Sequence, residues 1–431
     1  MKNMGCVAVI EYATGGGFSR EALNPLLFPE GYGMLRAVIE DLKRGGYRVI
    51  TTLDARLKPF CRLPADEEVI IAPGEDLITK LTSHLDTIDG ALIIAPALNN
   101  ALYKLTRFFE DRGVKLLGAG SEATRVASDK WLTYLALREA GIPVPVTLVA
   151  DLDEDPELLA QEIEELGYPV VFKPVDGASC AGLCLVEKPS HVESALRRLQ
   201  METGRKQFLI QEYLPGLHSS VSLICDGRKA FPLSLNAQYI KLSTPEANSK
   251  YEGGYVPMEH LLAKEARNIA KGAVEAIPDL KGYVGVDLVL TERGPIVVEV
   301  NPRLTTTYLG LRKVLKINLI EAIIHAAFGE EMPEETGFAG VAFIAHIYFG
   351  ETLPLTDEAA RAIEELSEVM SPPFPIAGHL EPSETGALVV THGDNLDKAQ
   401  QRFHEVKQRI YSLLKTPPTT TRNQPSLTCS L

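Results

Sequence analysis

Through the first ~120 residues, short apolar runs alternate with segments whose apolar residues recur at helical spacing. Val7–Ile10 (VAVI) reads as a strand that enters a flexible turn at Gly15-Gly16-Gly17. Met34–Leu42 (MLRAVIEDL) has helical spacing and runs into Lys43, Arg44, Gly45 and Gly46, which is good stop chemistry. Tyr47–Thr51, Glu68–Ala72, Ala91–Ala95 and Val114–Leu117 supply further strands. Strands separated by helices predict a parallel sheet with helical crossovers.

Beyond that region the pattern changes. Ser128–Ala140 reads as a capped helix closed by Gly141, with Pro143 and Pro145 after it. Asp151–Leu166 is an acid-rich helix with Pro156 in its first turn, and its charges read as a solvated face. From Tyr168 to Val289 the spacing is that of hairpins, with helices near 190–201 and 259–276. A single helix is expected over 309–328, then a strand at Ala387–Thr391 and a helix at Leu396–Leu414. The tail 416–431 has no periodicity and is expected to be disordered. The expected divisions are 1–120, 121–330 and a C-terminal α/β part at 331–415.

A chain of 431 residues exceeds what one core usually serves, so two or three sub-domains fit. The net charge of -14 argues against nucleic acid or an anionic membrane as partner. Phosphate, if bound, must be held by a few placed cations and a metal. No apolar run approaches the ~20 residues that a membrane span needs. The start of the chain is too short in apolar residues and too acidic for a secretory signal. Six scattered cysteines read as reduced thiols, so a cytoplasmic protein is expected.

The most informative stretch is Gly282–Arg303, GYVGVDLVLTERGPIVVEVNPR. Two apolar runs flank Glu292-Arg293-Gly294, which suits a three-residue hairpin loop with glycine at the left-handed position. Pairing Thr291 with Pro295 then sets Asp287 opposite Glu299, and Asn301 falls on the same face. Facing carboxylates destabilise a strand pair, and among Val286, Leu288, Val298 and Val300 they are expected to be buried. A divalent cation resolves the conflict, and three oxygen ligands completed by water and phosphate is how Mg²⁺ binds in nucleotide enzymes. The competing reading is a solvated face whose acids are held by Lys or Arg. Arg303, two residues past Asn301, offers a planar fork for a carboxylate or phosphate oxygen.

Tyr168–Gly182 (YPVVFKPVDGASCAG) delivers Lys173 on a strand, followed by the small residues Gly177, Ala178, Ser179 and Gly182. Such a loop lets backbone N–H groups approach phosphate, although it lacks the Gly-Lys-Ser/Thr ending of a Walker A loop. In Phe208–Gly216 (FLIQEYLPG), Gln211 and Glu212 end a strand, while Tyr213 and Leu214 offer apolar walls and backbone hydrogen bonds for a purine. Read without a ligand, this is a strand leaving the core through a Pro-Gly turn. Lys130 lies near a helix start and would be exposed if it had no ligand.

The order helix lysine, strand lysine, small-residue loop, purine hinge and acidic hairpin resembles the ATP-grasp superfamily over roughly 121–330. The resemblance implies an ATP-grasp architecture of α/β class, built of α+β sub-domains, with an N-terminal Rossmann-like pre-ATP-grasp domain at 1–120. Within 121–330 it implies a nucleotide-clamping lobe at about 135–215 and a metal-binding lobe, with 331–415 completing the ATP-grasp lobe. It implies that Lys130 and Lys173 contact ATP phosphates, with Lys173 and Arg303 as the catalytic cations. Ser179, Gly182 and the 176–182 loop then close over the phosphates, and Glu212, Tyr213 and Leu214 hold adenine. Asp287, Glu299 and Asn301 carry Mg²⁺, with Mn²⁺ as the alternative and two ions usual. Many members place an acid for the ribose shortly after the hinge, where this chain has Leu217, His218 and Ser219. His218 is a substitute, set against a solvated loop histidine.

EYATGGGF (11–18), EGYGML (30–35), LSLNAQYI (233–240), YEGGYVP (251–257) and NPRLTTTYLGLR (301–312) resemble the tyramine–glutamate ligase family of methanofuran biosynthesis. That resemblance implies ADP-forming ligation of the L-glutamate γ-carboxylate to tyramine through an acyl phosphate, with small-molecule partners and a homodimer allowed. Ligation of another amino acid and amine, giving a lysine-derived or peptide-like amide, is the second reading, and a non-catalytic ATP-sensing module the third. Thr305, Thr306 and Thr307 are candidate hydroxyl donors to the amino acid, or packing residues. The Gly15–Gly17 turn is a candidate site for the substrate carboxylate or acyl phosphate, or a plain turn.

Overall fold

The computed structural model describes residues 4–21, 23, 27–177, 180–330, 332, 337–348, 357–373 and 386–415. The tail 416–431 and Ser179 lie outside the described residues. The first sheet holds β1 (Cys6–Glu11), β2 (Arg48–Asp54), β3 (Glu67–Ile71), β4 (Gly90–Ile94) and β5 (Lys115–Leu116). It is parallel, in the order β3-β2-β1-β4-β5. Every residue of β1 is buried, as a central parallel strand covered on both faces requires. Its crossovers include α1 (Phe28–Arg44), α2 (Leu77–Thr82) and α3 (Ala101–Glu110). The order reverses between β1 and β4, which places the crevice of a doubly wound sheet at the end of β1, at Glu11.

Next come α4 (Ser121–Ser128) and α5 (Lys130–Glu139). The expected single start at Ser128 is displaced by one residue. Asp129 is the cap, and its carboxylate accepts from the Trp131 and Leu132 N–H groups. A four-stranded antiparallel sheet follows, of β6 (Thr147–Asp151), β7 (Val170–Pro174), β8 (Cys184–Val186) and β9 (Gln207–Glu212), in the order β6-β9-β7-β8. The helices α6 (Pro156–Leu166) and α7 (Val192–Glu202) bury Leu159, Ile163, Leu196 and Leu199 with Phe172 and Phe208 of this sheet.

The third sheet has eight antiparallel strands. They are β10 (Leu217–Asp226), β11 (Ala230–Lys241), β12 (Lys250–Val256), β13 (Lys281–Thr291), β14 (Gly294–Asn301), β15 (Val341–Tyr348), β16 (Val369–Ser371) and β17 (Gly386–Gly393). Alternation along β13 divides its two faces. Val284, Val286 and Leu288 join the core beneath α8 (Ala263–Glu275), whereas Tyr283 joins the core built with α1, α9 (Thr307–Val314) and α10 (Leu319–Phe328). At the far end, α11 (Asp357–Glu364) and α12 (Leu396–Lys415) enclose a separate cluster that includes Phe343, Ile363, Val389 and Ile410.

The helix expected over 309–328 is broken in two. Leu315 turns extended and bridges Phe338, and Asn318 restarts the helix as the cap of α10. The pattern of apolar residues continues across the break, which hid it from the periodicity. Among the described residues no helix is long and apolar enough to cross a membrane.

Candidate active site

The cleft lies between the four-stranded and eight-stranded sheets and has a volume of about 240 Å³. Its floor is the β13–β14 hairpin, where Asp287 pairs directly with Glu299. The route to that pairing differs from the one expected. Thr291 pairs with Gly294, not Pro295, so the loop has two residues, Glu292 and Arg293. The register then slips by one between Leu288, opposite Val297, and Asp287, opposite Glu299, leaving Val298 as a bulge. A shorter loop and a bulge cancel, and the two acids still face each other. The bulge also frees the Val298 carbonyl, which accepts from Lys173 Nζ at 3.0 Å.

Asp287 accepts from Gln238 Nε2 at 2.9 Å and from Asn301 Nδ2 at 3.1 Å. Glu299 Oε1 lies 3.4 Å from Lys130 Nζ. Burial, and then the facing Glu299, push the Asp287 carboxyl above the usual range. Burial works the same way on Glu299, but Lys130, Lys173 and Arg303 outweigh it and hold that carboxyl low. The acids therefore divide, one proton-seeking and one firmly ionised. Burial, reinforced by Lys130, pulls Lys173 down to about 8 against the attraction of Glu299 and Asp287. The Lys130 side chain is only 11% exposed, so the exposed reading of this lysine does not hold. Its backbone N–H bonds to the Val175 carbonyl, which ties the start of α5 to the strand carrying Lys173.

Ten sequence-predicted residues line this cleft: Lys130, Lys173, Glu212, Tyr213, Leu214, His218, Asp287, Glu299, Asn301 and Arg303. Gly182 is not among them. It takes φ +73° and sits over Pro174, Leu199 and Glu202, so close packing against α7 accounts for the glycine there in place of phosphate approach. The Glu212 carboxylate is held at 2.6 Å by Arg293, and the Glu212 and Tyr213 N–H groups bond to the carbonyls of Val146 and Pro169. Those two N–H groups are therefore not open to a base, and Tyr213 and Leu214 line the cleft beside them. His218 is not a solvated loop residue. It lies on β10 opposite Val289, and burial lowers its imidazole pKa.

The Gly15–Gly17 turn does not line the cleft, and its glycines answer to packing. A Cβ on Gly15 would meet the Glu11 carbonyl and Thr52 Oγ1, one on Gly16 would meet Ile71, and one on Gly17 would meet the Tyr12 ring. The turn is shaped instead around Glu11, which accepts from the Ala13 and Thr14 N–H groups and the Thr14 hydroxyl. Thr305, Thr306 and Thr307 do line the cleft, with Thr306 and Thr307 opening α9.

Sequence reasoning gave no role to Gln238 or Asn236, although a signal was present. In LSLNAQYI the polar residues Ser234, Asn236 and Gln238 alternate, so they share a strand face. Asn236 accepts from the Ser234 hydroxyl and donates to those of Ser220 and Ser222. The Tyr283 hydroxyl continues this network, donating to Ser222 at 2.8 Å and lying 3.3 Å from Thr305. A satisfied buried network of this kind fixes β10, β11 and β13 in register behind the acids.

Among the described residues, no group of three or more His, Cys, Asp and Glu side chains is gathered to hold a metal. The candidate is two carboxylates and an amide, a set of hard oxygen donors that fits Mg²⁺ and leaves positions for phosphate and water.

A family model described as an ATP-grasp domain matches residues 127–307, and one described as a pre ATP-grasp 3 domain matches 47–124. The tyramine–L-glutamate ligase of Methanocaldococcus fervens is 36% identical over 332 residues, which span 76% of this chain and 95% of the relative. That of Methanocaldococcus jannaschii is 36% identical over 268 residues, 62% of this chain and 72% of the relative. The biotin carboxylase–β,γ-ATP complex from Campylobacter jejuni shares the fold at 18% identity, with a TM-score of 0.71 over 95% of both chains.

Proposed function

Because the chain belongs to the ATP-grasp superfamily, in the family of the tyramine–L-glutamate ligases, we propose that it joins the γ-carboxylate of L-glutamate to tyramine. It is an ATP-dependent carboxylate–amine ligase that forms ADP. The observation that carries the reading is the pair Asp287 and Glu299, opposed on one hairpin and ringed by Lys130, Lys173 and Arg303 in a single cleft. Opposed acids with three cations around them suit a site that neutralises phosphate charge.

In the first step the glutamate γ-carboxylate attacks the γ-phosphorus of ATP and ADP leaves. In the second the amine, having lost its ammonium proton to solvent, attacks the acyl carbon, the bond from that carbon to phosphate breaks, and the nitrogen's next proton leaves with the phosphate. Lys130 and Lys173 draw charge from the phosphate oxygens, and the Arg303 fork holds the developing charge on the transferred group. Asp287, Glu299 and Asn301 would hold Mg²⁺, which supplies charge neutralisation on the phosphate chain when bound. Tyr213 and Leu214 would wall the base, and His218, which lines the same cleft, would serve a ribose hydroxyl. The five described cysteines are unpaired, in keeping with a reducing cytoplasm.

The test is ADP release with ATP, Mg²⁺, glutamate and a panel of amines. Activity with tyramine is expected. Activity with a different amine alone keeps the ligase and replaces the acceptor, and silence with every amine removes the reading. Glu299→Ala should lower ADP formation by roughly a hundredfold or more while the far-UV circular dichroism holds. Full turnover in that variant would refute the metal site.

A further inference from the structure

One wall of the cleft comes from the N-terminal domain. Glu30, in the first turn of α1, lines it together with Ile240 on β11 and Tyr251 on β12. Ile240 and Tyr251 are register partners and make a continuous apolar surface beside that carboxylate.

Glu30 differs from the other acids of the cleft, each of which is already engaged. Asp176 accepts from Thr203 Oγ1 at 2.9 Å, and Glu212 is paired with Arg293. Asp287 takes the amides of Gln238 and Asn301, and Glu299 faces Lys130. Glu30 has only Oε1 occupied, 3.3 Å from Nε2 of His346, and Oε2 has no hydrogen-bond partner among the described residues. Its side chain is 16% exposed against 6% for His346, so the histidine supports the carboxylate from the buried side and leaves one oxygen for a ligand. Asp287 and Glu299 line the same cleft. Burial first raises the Tyr251 phenol, and Glu30 and Asp287 then act on it together.

We propose that Glu30 binds the ammonium group of the acceptor amine, with Ile240 and Tyr251 as the wall for its arylalkyl chain. The inference rests on the ligase reading and adds to it the residue that selects the second substrate. A carboxylate with a free oxygen, next to an apolar aromatic wall and across from the phosphate-binding cations, matches a primary ammonium on a short carbon chain bearing a ring. An acid in a first helical turn also favours the helix dipole, but that role makes no distinction among substrates.

Hydroxylamine separates the two roles, because it is a neutral amine that captures an acyl phosphate without needing an ammonium site. The wild-type chain, Glu30→Gln and Glu30→Asp are each assayed with ATP, Mg²⁺ and glutamate, and with tyramine or hydroxylamine as acceptor. In Glu30→Gln the KM for tyramine should rise roughly tenfold to a hundredfold, well beyond any change in the KM for glutamate or ATP. The ratio of tyramine-dependent to hydroxylamine-dependent turnover should fall with it, and Glu30→Asp should lie between. Equal losses with the two acceptors, or a rise in the KM for glutamate in place of tyramine, overturn the proposal. A wild-type chain that forms no hydroxamate from glutamate removes the ligase reading itself, a result independent of position 30. Thermal melting of each variant establishes that it is folded, and Glu30→Asp retains the charge if Glu30→Gln is unstable.

Discussion

At the scale of single residues, the site sets catalysis against stability. Asp287 is held in the folded chain with its carboxyl above the usual range, because burial and Glu299 both disfavour its charge. An aspartate whose folded pKa exceeds its unfolded value of ~3.9 weakens the fold as pH rises, and the penalty is complete once pH passes the folded pKa. Without metal, Asp287→Asn should therefore raise the melting temperature at pH 8, by about 2–4 °C for a gain near 1 kcal/mol. The gain should shrink as pH falls towards ~4. The new amide is accommodated if Gln238 or Asn301 turns its own amide end for end. The same variant should lose ADP formation. Calorimetry across pH decides it, and a lower melting temperature at pH 8 would mean that the carboxylates do not repel each other in the free protein.

At the scale of elements, the hairpin shows how far pattern alone reaches. Period-two alternation placed Asp287, Glu299 and Asn301 on one face, because every second residue of each strand is apolar and the acids fall between. The bulge was not legible. In Ile296-Val297-Val298-Glu299 nothing marks Val298 as the extra residue, and only the Lys173 ammonium on its freed carbonyl shows what the bulge serves. Gly182 failed for a related reason, since a glycine that packs against a helix and one that admits phosphate look alike in sequence. The addition of β15, β17 and β16 to the large sheet was implied by the family resemblance alone, as strand pairing across such a separation leaves no local trace. The start of α5 makes this scale testable. Asp129 caps it through two N–H groups, and the next residue is Lys130. Asp129→Ala should cost about 1 kcal/mol in urea unfolding. Because fraying at that end moves the lysine, the KM for ATP should rise as well. A stability loss with an unaltered KM would show that the Val175 carbonyl alone keeps Lys130 in place.

At the scale of the whole molecule, the N-terminal domain is fastened to the rest by a buried charge cluster whose Asp41 and Arg312 do not line the cleft. Asp41 of α1 accepts from Arg312 of α9 at 2.7 and 2.5 Å, a two-pronged pair, and from the Tyr308 hydroxyl at 2.7 Å. The side chains of Arg312 and Asp41 are 4% and 9% exposed, so solvent screens the pair little. Removing Asp41 leaves the buried Arg312 with only Glu40, 3.3 Å away, which costs up to about 3–5 kcal/mol, whereas replacing both Asp41 and Arg312 with apolar groups costs less. Asp41→Ala should be strongly destabilising in guanidinium unfolding, and Asp41→Leu combined with Arg312→Met should recover most of the loss. The cluster also bears on function, because α1 carries Asp41 near one end and Glu30 in its first turn. Three helical turns join them as one rigid body. If Asp41 sets the seat of α1, the double variant should regain stability without regaining the geometry of Glu30, and its KM for tyramine should stay above wild type while that for ATP returns. Recovery of both constants together would mean that hydrophobic packing of α1 against Leu309 and Ile320 is enough to seat the helix, and that the charges serve the fold alone.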